Sequence, residues 1–516
     1  MSQSQCSSVV TGLVAAALIC AAPASASAQA APPAPAVAQT PVAPNLSTPV
    51  PARFEPVRQA ILEVMTQANV PSIAVAVVED GRIVWEQAFG WADRERQIAA
   101  TAHTAYSVAS MTKPITATAV MALRDAGRID IDAPVERYLG GARLGGISGA
   151  ADQVTARRIM AHSAGLPQFG LFRLDGSAPA DATETISNFG LVVFPPNTRF
   201  EYSNIGMRIL DVAIEQASGQ SYGDYLSRAV FGPLGMADSA VGLPSGNETA
   251  VRYDNEREPM RFYLTDHPGS GDVWASAHDM GRFLAFHLAG PASDQATILS
   301  DATRLEMQRP ASAAPMSDGP GSARRDVGAN WIISSSNGHP QIWHSGGQPG
   351  VSSVMAFFPE QGVGFVLLAN SSAPLGPIGQ AIRQAVAPEL LEPESPRVET
   401  PPTLIPFTGV WRGTVTSHVG DQPLSLTFGA DGQVTAAFAG QPAAPLSRTA
   451  YEDGALTGVL AGQSDLPEAA AAPHRFALRL VEADGELVGQ LVAQGMNDDV
   501  VFMLPSFVRL RPAGDS

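Results

Sequence analysis

The pattern of apolar and polar residues predicts a helix followed by a β-hairpin where folded sequence begins, near Arg53. Apolar positions recur at helical spacing through residues 55–67, which indicates an amphipathic helix. The run from Ile73 to Val78, the turn signal Asp80-Gly81 and the run from Ile83 to Trp85 fit two strands joined by a tight turn. A sheet is therefore expected close to the start of the folded region.

A second set of elements completes this region. A helix is predicted from Ser110 to Gly127, and Pro114 is tolerated there because N–H groups in the first turn are unpaired anyway. Apolar runs predict four strands, at residues 331–334, 341–343, 354–358 and 364–368. A helical pattern at residues 378–386 closes the region. Helices at both ends of an antiparallel sheet predict an α/β (α+β) sandwich with a helical subdomain.

A Pro/Glu-rich break at residues 391–402 precedes a last segment of different character. Asp431-Gly432 and Asp484-Gly485 lie at hairpin positions between strand-like runs, which predicts an all-β antiparallel, barrel-like domain over residues 403–516. Gly409-Val410-Trp411 resembles the Gly-x-Trp start of lipocalin-type barrels, and a plain β-sandwich is the alternative. The break suggests that this domain is an accessory unit.

Composition and charge exclude several classes of partner. The 516-residue chain carries a net charge of −17 and has no run of basic residues, so the footprint of a nucleic-acid-binding protein is missing and an anionic membrane surface would repel it. The nine histidines do not show HExxH or similar ligand spacing. The sequence therefore predicts no metal site and no other cofactor. The predicted partner is a small-molecule or peptide substrate.

The N-terminal residues are predicted to direct export. The apolar run from Val9 to Ala22 is too short to span a bilayer, and small residues ending at Ala30 suit signal-peptidase cleavage. Residues 1–30 are thus predicted to be a signal peptide and 31–52 an Ala/Pro-rich linker, with the periplasm as destination. A disordered tail is the alternative, because the n-region lacks Lys and Arg. Both cysteines lie in residues 1–30, so a mature chain would have no disulfide.

Lys113 is the only lysine, and it lies three positions after Ser110. Arginine cannot give up its proton in a protein, whereas a desolvated lysine ammonium can, so a chain that otherwise uses arginine retains a potential base here. Three positions on a helix place Ser110 Oγ and Lys113 Nζ on one face, the geometry of a nucleophile and its base. The alternative is an ordinary lysine in a lysine-depleted sequence.

Two further clusters follow in the same region, Tyr202-Ser203-Asn204 and His344-Ser345-Gly346-Gly347. Ser-x-x-Lys, Tyr-x-Asn and His-x-Gly in this order resemble the serine hydrolases of the class C β-lactamase and penicillin-binding protein superfamily, which includes D,D-peptidases, D-aminopeptidases and family VIII esterases. Residues 162–166 and 275–280 also look familial. The resemblance covers roughly residues 53–390 and implies the β-lactamase/transpeptidase type of sandwich.

The resemblance implies a role for each motif residue. Ser110 would attack a carbonyl and form an acyl-enzyme, Lys113 would help remove the serine proton, and Tyr202 would pass that proton to the leaving group. Asn204 would hydrogen-bond the substrate amide and Lys113. The alternatives are a packing role for Tyr202 and a turn role for Asn204.

The third motif is expected to border the substrate. Gly346 and Gly347 would let a substrate backbone lie close, and the N–H groups of Gly347 and Ser110 would form the oxyanion hole. His344 replaces the lysine of many β-lactamases and would hold a substrate carboxylate less firmly; a structural histidine is the alternative. Asp272 departs from the family pattern and is expected to be a solvated loop carboxylate or, alternatively, part of the cleft.

These expectations converge on an exported serine hydrolase that acts through an acyl-enzyme on peptides or D-amino-acid amides. A carboxylesterase or a β-lactamase would use the same apparatus, because a fold does not decide its substrate. A catalytically idle peptidoglycan- or penicillin-binding module is the alternative of another class, and retention of all three motifs argues against it. The sequence leaves the oligomeric state open.

Overall fold

The computed structural model describes residues 44–244, 249–312, 316, 325–391, 404–469 and 474–513. The predicted signal peptide, residues 31–43 of the predicted linker and residues 392–402 of the predicted break lie outside these ranges. Within the described residues, no helix combines the length and the apolarity needed to cross a bilayer.

The α-helices of the described residues all precede the predicted break. A single 3-10 turn, Ala109–Met111, leads into the second of them. In chain order they are α1 Glu55–Gln67, α2 Thr112–Asp125, α3 Ala156–Met160, α4 Ala182–Phe189, α5 Asn204–Ser218, α6 Tyr222–Leu226, α7 Gly232–Leu234, α8 Pro268–Gly271, α9 Ala277–Ala289, α10 Asp301–Glu306 and α11 Gly376–Val386.

The strands before the break form one large sheet and smaller pairings. They are β1 Ser72–Glu79, β2 Arg82–Asp93, β3 Ile98–Ala99, β4 Tyr106–Ser107, β5 Gly145–Gly146, β6 Gly170–Arg173, β7 Leu191–Val192, β8 Ala240–Val241, β9 Val273–Ala275, β10 Asp326–Val327, β11 Ile332–Ser336, β12 His339–Gln348, β13 Val351–Phe358 and β14 Val363–Ala369. The large sheet is antiparallel, in the order β10-β11-β12-β13-β14-β1-β2-β3.

Strand β1 explains why the large sheet has a helical layer on each face. Its residues alternate between two cores: Ile73, Val75 and Val77 belong to the cluster that includes α1 and α11, whereas Ala74 and Ala76 belong to the cluster that includes α2 and α9. A strand buried on both faces needs apolar residues at successive positions, which is the pattern in the sequence. The predicted sandwich is confirmed.

Folded contacts begin earlier than the predicted start near Arg53. Asn45, in the predicted linker, donates from Nδ2 to the carbonyls of Ala88 and Ala100 at 3.1 and 2.8 Å, and its Oδ1 accepts from Gly90 N at 2.9 Å. One amide side chain thus ties the residues before Arg53 to backbone groups of β2 and of Ala100. Composition alone does not reveal this attachment.

The segment after the break forms a nearly closed antiparallel sheet, as predicted. Its strands are β15 Gly409–Ser417, β16 Gly420–Phe428, β17 Val434–Phe438, β18 Ala444–Pro445, β19 Ser447–Glu452, β20 Ala455–Ala461, β21 His474–Ala483, β22 Glu486–Met496 and β23 Val500–Pro512. Their spatial order is β18-β17-β16-β15-β23-β22-β21-β20-β19, so the two edge strands are consecutive in sequence. Alternate residues of β16, including Leu424 and Leu426, point into the interior.

This β-domain is joined to the first region by a strand pairing that the sequence analysis did not anticipate. Strand β6 pairs antiparallel with β23, with Leu171 opposite Phe502. An apolar cluster that includes Phe194 and Phe507 closes a second contact between the two regions. The β-domain therefore contacts the first region at β6 and at the segment that contains Phe194.

Candidate active site

Ser110 lies in the single 3-10 turn directly before helix α2. Its neighbour Ala109 has a φ of +47°, a left-handed conformation that costs a non-glycine residue about 1–2 kcal/mol. Neighbouring elements hold the turn: Val108 N donates to Val273 O at 3.0 Å, and Ser353 Oγ donates to Val108 O at 2.8 Å. Backbone strain thus lies beside the predicted nucleophile, where functional sites commonly store it.

Lys113 contacts Ser110 directly. Its Nζ lies 3.1 Å from Ser110 Oγ and 3.1 Å from Ser270 O, and its side chain is fully buried. Burial lowers the pKa of the Lys113 ammonium well below its usual value. An amine that loses its proton this readily can accept one from the serine hydroxyl.

Tyr202 completes this cluster. Its ring centroid lies 4.7 Å from Lys113 Nζ. Burial raises the pKa of the Tyr202 phenol, and the nearby Ser110 hydroxyl offsets this only in part. Tyr202 is therefore a protonated phenol near neutral pH, able to donate one proton while it accepts another.

Asn204 lies beside the cluster but has a different partner from the one expected. Its Nδ2 donates to Phe169 O at 2.7 Å, whereas the hydrogen bonds of Lys113 to described residues go to Ser110 and Ser270. The predicted bond between Asn204 and Lys113 is not among these hydrogen bonds. Asn204 instead ties the start of α5 to the segment before β6.

The two glycines of the third motif face opposite ways, since successive residues of a strand alternate in direction. A Cβ on Gly346 would overlap Ser353 Oγ and Val108 O, so this glycine lets β12 pack against the turn that holds Ser110. A Cβ on Gly347 would meet no atom within 4 Å. Only Gly347 therefore leaves open space for a substrate, whereas both glycines were expected to do so.

His344 is neutral in this environment. It is 3% exposed, and its Nδ1 lies 2.7 Å from Ser345 O, which places the ring proton on Nδ1. Burial, with the nearby charge of Lys113, lowers the pKa of His344 to about 3. It is an internal residue of β12, whereas the sequence suggested the end of a strand.

His162 belongs to the site, although the sequence analysis assigned it no role. Its ring packs on that of Tyr202 with centroids 4.5 Å apart, and its Nδ1 accepts from Ser203 N at 3.2 Å. Its carbonyl accepts from Glu201 N at 2.8 Å. Burial lowers the pKa of His162 well below the usual value, so a neutral ring supports the Tyr202 segment. The familial look of residues 162–166 was the signal available.

Helix α8 supplies a second group of residues that sequence reasoning missed. Ser270, whose carbonyl accepts from Lys113, donates its Oγ to His267 O at 2.9 Å and lies 2.5 Å from His267 Nδ1. Burial lowers the pKa of His267 to about 3. The Gly-rich composition of residues 268–271 was the sole sequence signal for this close approach to α2.

Asp272 does not fit the predicted solvated loop carboxylate. It is 4% exposed, the nearby Trp274 is 3% exposed, and Asp272 Oδ2 accepts from Thr265 N at 3.1 Å. Burial raises the pKa of Asp272 to about 6. The Arg252 guanidinium lies 5.1 Å from the Trp274 ring and stacks at 3.5 Å on that of Tyr263. These residues form a packed wall rather than an exposed carboxylate.

One group of potential metal ligands occurs in the described part of the chain. Donor atoms of Glu86, His103 and His278 lie within 4.8 Å of one another. His278 Nδ1 lies 2.8 Å from Glu86 Oε2, and His103 Nδ1 lies 2.9 Å from Asp238 Oδ2, so each imidazole has a carboxylate partner. The bond to Glu86 raises the pKa of His278. This group is outside the hydrogen-bond network of Ser110.

Comparison with known proteins gives a family match over most of the chain. The family model described as Beta-lactamase matches residues 57–387. Penicillin-binding protein 4 of Amycolatopsis lactamdurans is 30% identical over 355 residues, which are 65% of this chain and 90% of that protein. Penicillin-binding protein 4* of Bacillus subtilis (strain 168) is 27% identical over 339 residues, 60% of this chain and 71% of that protein.

A solved structure extends the likeness to the β-domain. The crystal structure of SurE with D-Leu aligns with a TM-score of 0.59 at 20% identity, covering 88% of this chain and 100% of that one. At this identity the likeness shows the fold. It covers both the sandwich and the nearly closed sheet that follows.

Proposed function

Because the chain belongs to the beta-lactamase family, we propose that it is a serine hydrolase that works through an acyl-enzyme on Ser110. The observation that carries this proposal is the 3.1 Å distance between Ser110 Oγ and the Nζ of a fully buried Lys113. Burial lowers the pKa of this ammonium well below its usual value, and the amine lies within the distance that proton transfer requires.

In the acylation step, Ser110 Oγ attacks the substrate carbonyl carbon while its proton moves to Lys113 Nζ. The carbonyl oxygen becomes an oxyanion, for which the N–H groups of Ser110 and Gly347 are the proposed donors. As the bond to the leaving group breaks, Tyr202 donates its phenolic proton to that group and recovers a proton from Lys113. The products are an acyl-Ser110 ester and a neutral amine or alcohol.

In the deacylation step, water replaces the leaving group in the same apparatus. Lys113 and Tyr202 accept a proton from the water as it attacks the ester carbonyl, and the proton returns to Ser110 Oγ as the ester breaks. The neutral rings of His162 and His344 support this cycle, because they add no positive charge that would compete with protonation of Lys113.

We propose peptides or D-amino-acid amides as the substrate class. A neutral His344 offers a substrate a hydrogen bond but no fixed positive charge, so it suits an uncharged amide better than the free carboxylate that β-lactams carry. A carboxylesterase remains the second candidate, because the proposed apparatus breaks an activated ester by the same steps.

Covalent labelling tests the assignment of the nucleophile. A fluorophosphonate probe is expected to add one label per chain, on the peptide that contains Ser110, and Ser110→Ala is expected to abolish labelling. An unlabelled wild-type chain would favour the idle binding module, and labelling of a different serine would overturn the assignment.

A substrate panel tests the class. D-Leucine amide, linear peptides, a p-nitrophenyl ester and nitrocefin are compared by kcat/KM, with Ser110→Ala as control. The amides or peptides are expected to exceed nitrocefin by at least about tenfold, the effect of a missing interaction of about 1.4 kcal/mol. A β-lactam as best substrate would identify a β-lactamase, and turnover restricted to esters would identify an esterase.

Export is the remaining part of the proposal, and it rests on the run from Val9 to Ala22 and the small residues that end at Ala30. Mass spectrometry of protein recovered from a bacterial periplasm is expected to find an N-terminus near Ala31. An intact residue 1 on cell-internal protein would contradict it.

A further inference from the structure

Glu201, the residue before Tyr202, is a buried carboxylate without a role in the proposed chemistry. It is 2% exposed, and its backbone N–H is held by His162 O. A buried carboxylate is costly unless hydrogen bonds and opposite charge compensate it. The partners of Glu201 therefore determine the position in which the segment that carries Tyr202 is stable.

Both side-chain partners of Glu201 come from the β-domain. Gln490 Nε2 donates to Glu201 Oε1 at 2.7 Å, and Arg479 Nη1 lies 3.3 Å from Glu201 Oε2. Arg479 and Gln490 are direct cross-strand partners on β21 and β22, so their side chains emerge on the same face of the sheet. Two adjacent strands thus present one donor and one cation to a single carboxylate.

Gln490 also holds a second segment of the site. Its Oε1 accepts from Gln168 N at 3.2 Å, and the next residue, Phe169, supplies the carbonyl that accepts from Asn204. Gln490 is 3% exposed, so both ends of its amide are used away from water. One β-domain side chain therefore links the segments that carry Tyr202 and that bind Asn204.

We propose that Gln490 and Arg479 are positioning residues, which clamp Glu201 and thereby fix Tyr202 and Asn204 relative to Ser110. The β-domain is then an integral part of the active site. The effect on catalysis rests on the role proposed above for Tyr202. The ordering of residues 199–204 by Gln490 and Arg479 does not depend on that role.

The test first replaces the Gln490 amide by a carboxylate. A second variant then exchanges the carboxylate of Glu201 and the amide of Gln490. Gln490→Glu removes the donor and places two carboxylates together, and we expect fluorophosphonate labelling of Ser110 to slow at least about tenfold. In the double variant Glu201→Gln with Gln490→Glu, a donor again faces a carboxylate and Gln168 N keeps its acceptor. Labelling is expected to recover to within about threefold of wild type.

A matched control and a pH profile separate positioning from general loosening. Gln494→Glu makes the same substitution on the same strand and face, and it is expected to label at close to the wild-type rate. The defect of Gln490→Glu, taken as a ratio to wild type, is expected to shrink as pH falls, because the facing carboxylates then share a proton. The proposal would be overturned if the slower labelling of Gln490→Glu did not depend on pH, or if Gln494→Glu slowed labelling equally. It would also be overturned if the double variant did not restore the labelling rate.

Hydrogen exchange reads the clamp without catalysis. Peptides that cover residues 199–204 are expected to exchange faster in Gln490→Glu than in wild type and to recover in the double variant. Unchanged exchange would overturn the clamp, and faster exchange with an unchanged labelling rate would overturn its catalytic consequence. A wild-type chain that fails to label at Ser110 would instead overturn the proposed function, so the two failures are distinguishable.

Discussion

Lys113 Nζ lies 3.1 Å from both Ser110 Oγ and the carbonyl oxygen of Ser270. The two contacts hold the amine between the proposed nucleophile and a backbone acceptor, in a position where the side chain is fully buried. Desolvation opposes protonation there, which explains why an amine that can be neutral is retained in a chain whose other basic side chains are arginines.

Lys113→Arg distinguishes a base from a structural cation. The substitution keeps the charge and removes the group that can deprotonate, so we expect single-turnover acylation to slow at least about a hundredfold, the low end for loss of general-base catalysis. The loss is expected in kcat rather than in KM alone. Circular dichroism checks that the variant is folded, and near-wild-type acylation by a folded variant would contradict the proposed role.

Gly346 and Gly347 form a matched pair for the third motif. Gly346→Ala is expected to destabilise the protein by about 1–3 kcal/mol in urea denaturation, because the methyl group would overlap backbone and hydroxyl oxygens. Gly347→Ala is expected to retain stability to within about 1 kcal/mol, since its methyl group meets open space, and to lower kcat/KM by obstructing the substrate. Similar stability losses for both variants would contradict the conclusion that Gly346 is packed against the turn of Ser110 and that Gly347 faces open space.

His344→Asn tests the neutral imidazole through the pH dependence of stability. The pKa of His344 is lowered to about 3 in the folded state and is about 6.5 in an unfolded chain, so between these values the unfolded state binds the proton and the folded state does not. Its contribution to the free energy of unfolding therefore falls as pH drops below about 6.5.

The measurement compares the two proteins at pH 7 and at pH 4.5. Wild type is expected to lose up to about 2–3 kcal/mol more than His344→Asn over this interval, as two pH units below the unfolded pKa correspond to that amount. The comparison with the variant removes the contributions of other buried groups, such as Asp272, whose raised pKa acts in the opposite direction. Parallel pH profiles for the two proteins would show that His344 is not held neutral.

Removal of the β-domain is expected to impair the site. A chain that ends at residue 399 loses the partner strand of β6 and both side-chain partners of Glu201. We expect it either to fail to fold or to label at Ser110 at least about tenfold more slowly than a control that ends at Ala513. A folded truncated chain with full labelling would restore the accessory role that the sequence suggested.

The sequence alone determined the features that depend on near neighbours along the chain. The pairs Asp80-Gly81 and Asp484-Gly485 adopt positive φ at both positions, as the predicted hairpin turns require, and the helix over residues 55–67 is present with the same bounds. The separation of Ser110 and Lys113 by three positions likewise sufficed to bring Ser110 Oγ and Lys113 Nζ together, because the 3-10 turn that holds Ser110 leads directly into the helix of Lys113.

Only the tertiary structure decided which distant groups meet. Asn204 donates to the carbonyl of Phe169, and Lys113 donates to the carbonyl of Ser270 in α8. Gly346 faces the turn before α2, an encounter that the chain makes across more than 230 residues. No local pattern encodes these contacts, since each depends on how separately formed elements pack.

The same reason explains why the sequence did not reveal the contacts of the β-domain. A Pro/Glu-rich break and motifs that all precede it are local signals, and they indicated an accessory unit. The partners of Glu201 are 278 and 289 positions away in sequence, on strands whose own pattern concerns only their pairing and their core. Burial of a lone carboxylate against an amide and a guanidinium is a property of the packed protein, and it became visible only once both sheets were in place.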